Sequence, residues 1–480
     1  MDNSQPELIK DMNANLYILT IGMLLGGILL TACQSDVPTE EPSDMGGICS
    51  DSCYINLQIV NTSIHKTRSS IAEENTIYDG ILCIFEGISE STATLKTAVA
   101  IDQFINNPDN STSVNITQRL AGTHSYNNKL YVLALLNTSP TGFTLSGNTL
   151  KFEGAALTGN TISQVRNLQI KSVGSIDKHV GLFMSNAPQS NYTMPEVTST
   201  CLYDTESAAA TGSRLVINVE RAAAKVKVTN TASAVTSFCL DGDEKRTATV
   251  HKITWVLHNY NTYSYAVRNG ATAVQNWSTS ITGTDIPIRF VNTGNDAFDL
   301  FQQQSYKEGD EVYIAENTTS NSNDQTQIFV EVQLKEGSFL LGDCYRYQLG
   351  SDAPIFFSSA ARFIQFCKVG WKETFSRNFY NIKDKSADEV FKYYSISIHD
   401  NGNTTVTLTN NSFTTAEQTD LNNLGGVLSG LLSGYRNGKM YFTYKIRHSD
   451  NQNGVVRNNA YNLNFTTVPD IGDPVPTPIE

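Results

Sequence analysis

Between Gly454 and Val468 large apolar and polar side chains alternate, with Tyr461, Leu463 and Phe465 set against Asn462, Asn464 and Thr466. A period of two puts one set on each face of an extended segment, so this stretch folds as a half-buried strand. The same period appears at the other end of the chain, where Ile55, Leu57 and Ile59 alternate with Asn56 and Gln58. Between them, runs rich in Ile, Leu, Val and Tyr at 77–85, 98–104, 129–136, 252–258, 311–314, 327–334, 394–398, 404–409 and 440–446 are separated by Asn, Ser, Thr and Gly turns. That spacing predicts antiparallel β-sandwiches, an all-β fold. The best helical candidate is 420–433, read as a surface helix or loop, and its apolar run is too short to span a bilayer. Pro469, Pro474, Pro476 and Pro478 lack amide donors, so the last residues form a tail, an edge or a linker and not a central strand.

A chain of 480 residues is long enough for two large domains. Within 213–230 two alternating halves meet at Ala222 to Ala224. Small side chains there suit the close packing of two sheets, with a short helix as the alternative, and the domain boundary is placed at this point. Charged residues make up only 17% of the chain and the net charge is -13. No basic stripe is present, and nucleic acid needs one to release its counterions, so it is excluded as a partner.

Leu16 to Leu30 is an apolar run of about 15 residues, the length of a signal-peptide core and too short for a membrane span. It ends at Leu30-Thr31-Ala32-Cys33, which resembles a bacterial lipobox. The expectation is a lipoprotein signal peptide over 1–32 and a lipidated Cys33 that anchors the precursor in a membrane. Residues 34–47 are acidic and poor in large apolar side chains, as in a flexible tether. The loop after the first strand, 61–75, is polar and without a sustained period. It carries Lys66 and Arg68, and exposed loops of this kind are where proteases cut.

The seven histidines are dispersed, and no zinc-protease helix, serine-hydrolase elbow or phosphate loop occurs. His251 and His258 fall on opposite faces of a predicted strand. Asp241-Gly-Asp-Glu244 has carboxylates at a spacing suggestive of calcium but lacks the sixth-position Gly and distal Glu of an EF-hand, so it reads as a hairpin turn. No catalytic residue, metal site or cofactor is expected, and the chain reads as a non-enzyme.

Several stretches together resemble the fimbrillin family of Bacteroidota type V pili, and more closely its minor-fimbria stalk subunits. They are the lipobox, Thr67-Arg68-Ser69, 129–137, 181–187, 220–226, Tyr441 to His448, Gly454 to Tyr461 and Ile471 to Val475. The resemblance implies two transthyretin-like antiparallel β-sandwich domains behind a signal and propeptide leader. It divides the chain into a signal peptide (1–32), a lipidated propeptide with the first strand (33–68), an N-terminal sandwich (69–221), a C-terminal sandwich (222–453) and a donor strand with its tail (454–480). An Arg-specific maturation protease is expected to cut between Arg68 and Ser69. Loss of Ile55, Leu57 and Ile59 would open a groove, which Tyr461, Leu463 and Phe465 of a neighbouring pilin subunit would fill. The implied partners are other copies of the subunit, the protease and host or bacterial surface receptors. The implied location is a cell-surface fimbrium, reached from an outer-membrane lipoprotein precursor. The rival readings are a tip or anchor subunit, and a glycan-binding surface lipoprotein, which should show clustered Trp or Tyr.

Overall fold

The computed structural model describes residues 52–61, 72–101, 113–121, 128–175, 181–189, 193–230, 238–261, 263–268, 290–291, 301, 304–317, 325–410, 412–449, 452–465 and 471–477. Gly47–Glu480 forms one compact unit, and the other unit, Met1–Gly46, lies outside the described residues together with the expected signal peptide.

The alternation at the N-terminal end becomes strand β1 (Ser52–Asn61), followed by β2 (Gly80–Gly87), β3 (Thr94–Ala100), β4 (Ser113–Ala121), β5 (Lys129–Leu136), β6 (Met184–Asn186) and β7 (Leu215–Arg221). They share one sheet in the order β1, β7, β6, β5, β2, β3, with β4 on the other edge of β1. β2 and β5 read as nearly continuous apolar runs because both of their faces are covered. Leu82, Ile84, Val132 and Ala134 meet Ile55, Leu57, Ile59, Val114, Ile116, Ile217 and Val219 in one core. The intervening Cys83, Phe85, Tyr131 and Leu133 point the other way, into a second core with Phe143, Leu150 and Phe183.

Beyond the bend at Ala222 come β8 (Ala223–Asn230), β9 (Asp243–His258), β10 (Glu311–Ala315), β11 (Gln327–Glu336), β12 (Lys439–Lys445) and β13 (Ala460–Phe465). β10, β8 and β13 make a three-stranded sheet, while β9, β11 and β12 belong to a nine-stranded one. Val226 and Val228 from the first pack with Trp255, Val330, Val332 and Met440 from the second. Two sheets facing each other across one such core form a sandwich. The joint is extended and the alternative short helix does not form. Ala222 packs in the second core and Ala224 in this third one.

Two departures from the sequence reading bear on function. The first is helical: α1 (Ala360–Gly370) and α2 (Thr415–Gly430) surround a fourth core. The 420–433 candidate lies within and just past α2, which is only partly a surface helix, because Leu421, Leu424 and Leu428 are buried. Helix α1 was not read from the sequence, although Ser359 caps it by accepting from the Arg362 amide and Phe363 and Cys367 bury one face. The second departure is strand direction. Most pairings are antiparallel, but β1 runs parallel to β7 and β13 runs parallel to β8. Neighbours in sequence pair antiparallel through tight turns, whereas these partners are joined through long stretches of chain and are not held to that geometry.

Candidate functional site

Strand β1 is paired along both edges. β4 runs antiparallel to it over its whole length, from Ser52↔Ala121 to Val60↔Ser113. On the opposite edge Leu202 and Tyr203 pair with Ile55 and Tyr54, and β7 continues in parallel from Leu57↔Leu215 to Asn61↔Val219. Ile55, Leu57 and Ile59 are exposed by 0%, 0% and 1%. Each contributes about 1.5–3 kcal/mol by burial. Asn56, on the other face, donates to the Gly212 carbonyl at 3.0 Å. A segment that left this position would uncover an apolar slot flanked by two unpaired edges.

Strand β13 has β8 on one side and stands at the end of its sheet, from Lys225↔Ala460 to Asn230↔Phe465. The expected alternation is present: Phe465 is buried, Tyr461 and Leu463 are half-buried, and Asn462 and Asn464 are exposed. The three apolar side chains pack on the third core of their own chain. Tyr444 meets the Phe465 ring edge-on at 5.2 Å. The Tyr461 hydroxyl accepts the Val456 amide at 2.8 Å and lies 3.0 Å from His448 Nδ1. Here, then, the strand fills its own chain's sandwich. The tail runs along β12, where Tyr441 and Asp473 exchange backbone hydrogen bonds of 2.8 and 2.9 Å and Tyr435 donates to the Gly472 carbonyl at 2.9 Å. Cys33, Arg68 and Ser69 lie outside the described residues.

What the sequence reading missed is the root of β13. Asn458, with φ of 62°, donates its amide to the Ala223 carbonyl at 2.7 Å, and its side-chain oxygen accepts the Arg221 amide at 3.4 Å. The Asn459 carbonyl accepts the Lys225 amide at 2.9 Å. The root thus hangs on the joint between β7 and β8, and two buried charge clusters flank it.

In one cluster Arg457, fully buried, donates to Glu316 at 2.9 Å through Nε and to the Tyr265 carbonyl at 2.8 Å through Nη2. Burial alone would lower the Arg457 guanidinium, but Glu316 and Glu220 outweigh it and hold the group above its usual value. Nearby Glu220 pairs with Arg268 at 2.9 Å. Desolvation pushes the Glu220 carboxyl up to about 7, against the pull of Arg268 and Arg457. In the other cluster Glu74 is 0% exposed and accepts from Lys225 Nζ at 2.8 Å, Arg221 Nη1 at 2.5 Å and the Tyr313 hydroxyl at 2.7 Å. A polar cavity of about 10 Å³ lies beside it, room for one water.

Glu220, Arg221 and Lys225 were visible as charges inside an otherwise apolar alternating stretch. Glu74 was not, because it is 147 residues from Arg221. Asp241 and Gly242 both take positive φ, 61° and 72°, between the paired Leu240 and Asp243, so this stretch is the hairpin turn expected of it. Trp255 and Trp371 are fully buried and Trp277 lies outside the described residues. They form no exposed aromatic platform among the described residues.

Residues 433–480 match the family model described as major fimbrial subunit protein type IV, fimbrillin, C-terminal. No curated protein matches the chain. Among solved structures, the tip fimbrial protein Mfa3 from Porphyromonas gingivalis with C-terminal truncation shares 9% identity and a TM-score of 0.32, covering 60% of this chain and 79% of that one. A fimbrial assembly protein from Parabacteroides distasonis shares 11% identity and a TM-score of 0.31, covering 60% of this chain and 83% of the other.

Proposed function

Starting from a chain that carries a fimbrillin C-terminal region over residues 433–480, we propose that it is a fimbrial stalk subunit built from two sandwich halves that meet at Ala222. It is exported as a lipoprotein through Cys33, cut after Arg68 by an Arg-specific protease, and polymerised by strand exchange into adhesive surface fimbriae. The observation that carries this reading is β1, an N-terminal strand whose apolar face is fully buried and which is paired along both edges. Such a strand is ordinarily an inseparable part of its sheet, yet in sequence it is joined to the strands that follow it through the stretch bearing Arg68. Cutting there makes it a removable insert.

The energetics favour exchange once β1 is gone. In its own chain β13 is paired on one edge and only half-buried at Tyr461 and Leu463. In a neighbour's slot it would be paired on two edges, with its apolar face as deeply buried as Ile55, Leu57 and Ile59 are now, which is β-augmentation with a second ladder added. Donor and slot are different surfaces, so the contact is heterologous and extends into a filament instead of closing a ring.

A tip or anchor subunit is the second reading. It is favoured by the seating of β13 and its tail within their own chain, since a terminal subunit needs no outgoing strand. N-terminal sequencing of surface-shed protein separates the two. A stalk subunit begins at Ser69 and forms SDS-resistant ladders, and Arg68→Ala accumulates as a precursor without them. A mature protein that retains β1, or a wild-type chain that never enters ladders, overturns the stalk assignment.

A further inference from the structure

The Glu74 cluster joins the two strands on which that proposal depends. Asn61, the last residue of β1, donates its side-chain amide to Asn75 Oδ1 at 3.0 Å. The same oxygen accepts Arg221 Nη2 at 2.5 Å. Arg221 also holds Glu74, and so does Lys225. The backbone amides of these two cations bind Asn458 and Asn459 at the root of β13. An unbroken set of hydrogen bonds therefore runs from the end of the N-terminal strand to the start of the C-terminal one.

We infer that Glu74 is the centre of a latch that keeps the root of β13 in its own chain for as long as β1 is in place. This rests on the strand-exchange reading and adds its regulation. The physical reason is burial. The side chains of Glu74, Arg221 and Lys225 are exposed by 0%, 4% and 3%, and ions this dry are stable only while paired and hydrogen-bonded. When β1 departs, Asn75 loses the Asn61 donor, and Asn75 Oδ1 is the atom that also holds Arg221. Water then reaches the cluster and competes for Arg221 and Lys225, whose backbone amides hold the root of β13. A subunit whose slot still holds β1 thus keeps its C-terminal strand, and one that has lost β1 releases it.

Hydrogen–deuterium exchange on the uncleaved full-length chain tests this without requiring any filament. Glu74→Gln is expected to speed exchange of the amides at 458–465 by at least about tenfold, with β5 peptides unchanged. Asn61→Ala should act in the same direction with a smaller effect, because it removes only the link to β1. Should Glu74→Gln fail to fold, Tyr313→Phe, which removes a single hydrogen bond to Glu74, carries the test with an expected effect of about threefold. Unchanged exchange at 458–465 in the folded variants, or equal acceleration in β5, overturns the latch. Acceleration by Glu74→Gln without any by Asn61→Ala overturns its coupling to β1. Ladder formation by cleaved wild-type protein is scored separately, so a latch without ladders rejects strand exchange alone, and ladders without a latch reject this inference alone.

Discussion

Leu57 and Leu215 are register partners in a parallel ladder, and the stretch that carries Leu215 onward to Asn230 also carries Tyr461 opposite Val226, again in parallel. β1 and β13 therefore run in the same direction along one continuous segment of chain. A C-terminal strand that took the place of β1 in the same direction would run parallel to β7 and antiparallel to β4, as β1 does. Three apolar side chains at alternate positions would meet the places of Ile55, Leu57 and Ile59.

Leu57→Ala should destabilise the precursor by about 2–5 kcal/mol, the cost of a large-to-small change at a fully packed site. On the proposed maturation the residue leaves with β1, and filaments built from mutant precursor should then melt at the wild-type temperature. Denaturation of precursor and filament, measured side by side, checks both halves. A filament destabilised by Leu57→Ala would mean that β1 stays.

Leu463→Asp should destabilise the monomer itself, because Leu463 packs on its own chain's core. An unpaired charge there costs several kcal/mol, on the order of the penalty for burying a polar group without a partner. Asn462→Asp, exposed on the other face, should leave the melting temperature unchanged. Circular dichroism melts of the two variants check the contrast, and equal loss in both would contradict the alternation.

Glu220→Gln should alter the pH dependence of stability. Burial raises the Glu220 carboxyl from 4.5 to about 7 in the folded chain, so the native state holds the proton more tightly than the unfolded one. The stabilising contribution is complete below the unfolded value and is lost as pH rises through the folded one. Wild-type protein should therefore lose stability relative to the Gln variant between these two values, by up to about 1.4 kcal/mol per pH unit. Urea titrations across the window measure the slope difference.

Arg457→Leu should cost about 3–5 kcal/mol by leaving the Glu316 carboxylate buried and unpaired. The companion change Glu316→Leu in the same chain should restore much of that loss, since two apolar side chains need no partner. Chemical denaturation of the single and double variants gives the coupling directly.

How much of this was legible followed from the range of each signal. Runs rich in Ile, Leu, Val and Tyr such as 129–136 and 327–334 are local signals, and they became β5 and β11 almost residue for residue. The Asp241-Gly242 turn was legible because positive φ at both central positions favours those residue types. Helix α1 was missed because the four-residue spacing of Ser359, Phe363 and Cys367 is embedded in a Phe-rich stretch, with Phe356, Phe357 and Phe366, that reads equally as strand without a tertiary partner. The seats of β1 and β13 were hidden for a different reason. Parallel pairing joins residues such as Ile59 and Ile217 that no turn connects, and nothing local encodes the choice. The charges around Glu74 come from three separate parts of the chain, and only folding brings them together.

The double-edged seat of β1 also has a mechanical meaning. Pulled lengthwise, a strand held by β4 on one side and by Leu202, Tyr203 and β7 on the other loads all its ladder bonds in shear, so they must yield together. An edge strand such as β13, peeled sideways, opens one bond at a time. Whatever segment occupies the interior seat is therefore fixed against tension along its own axis.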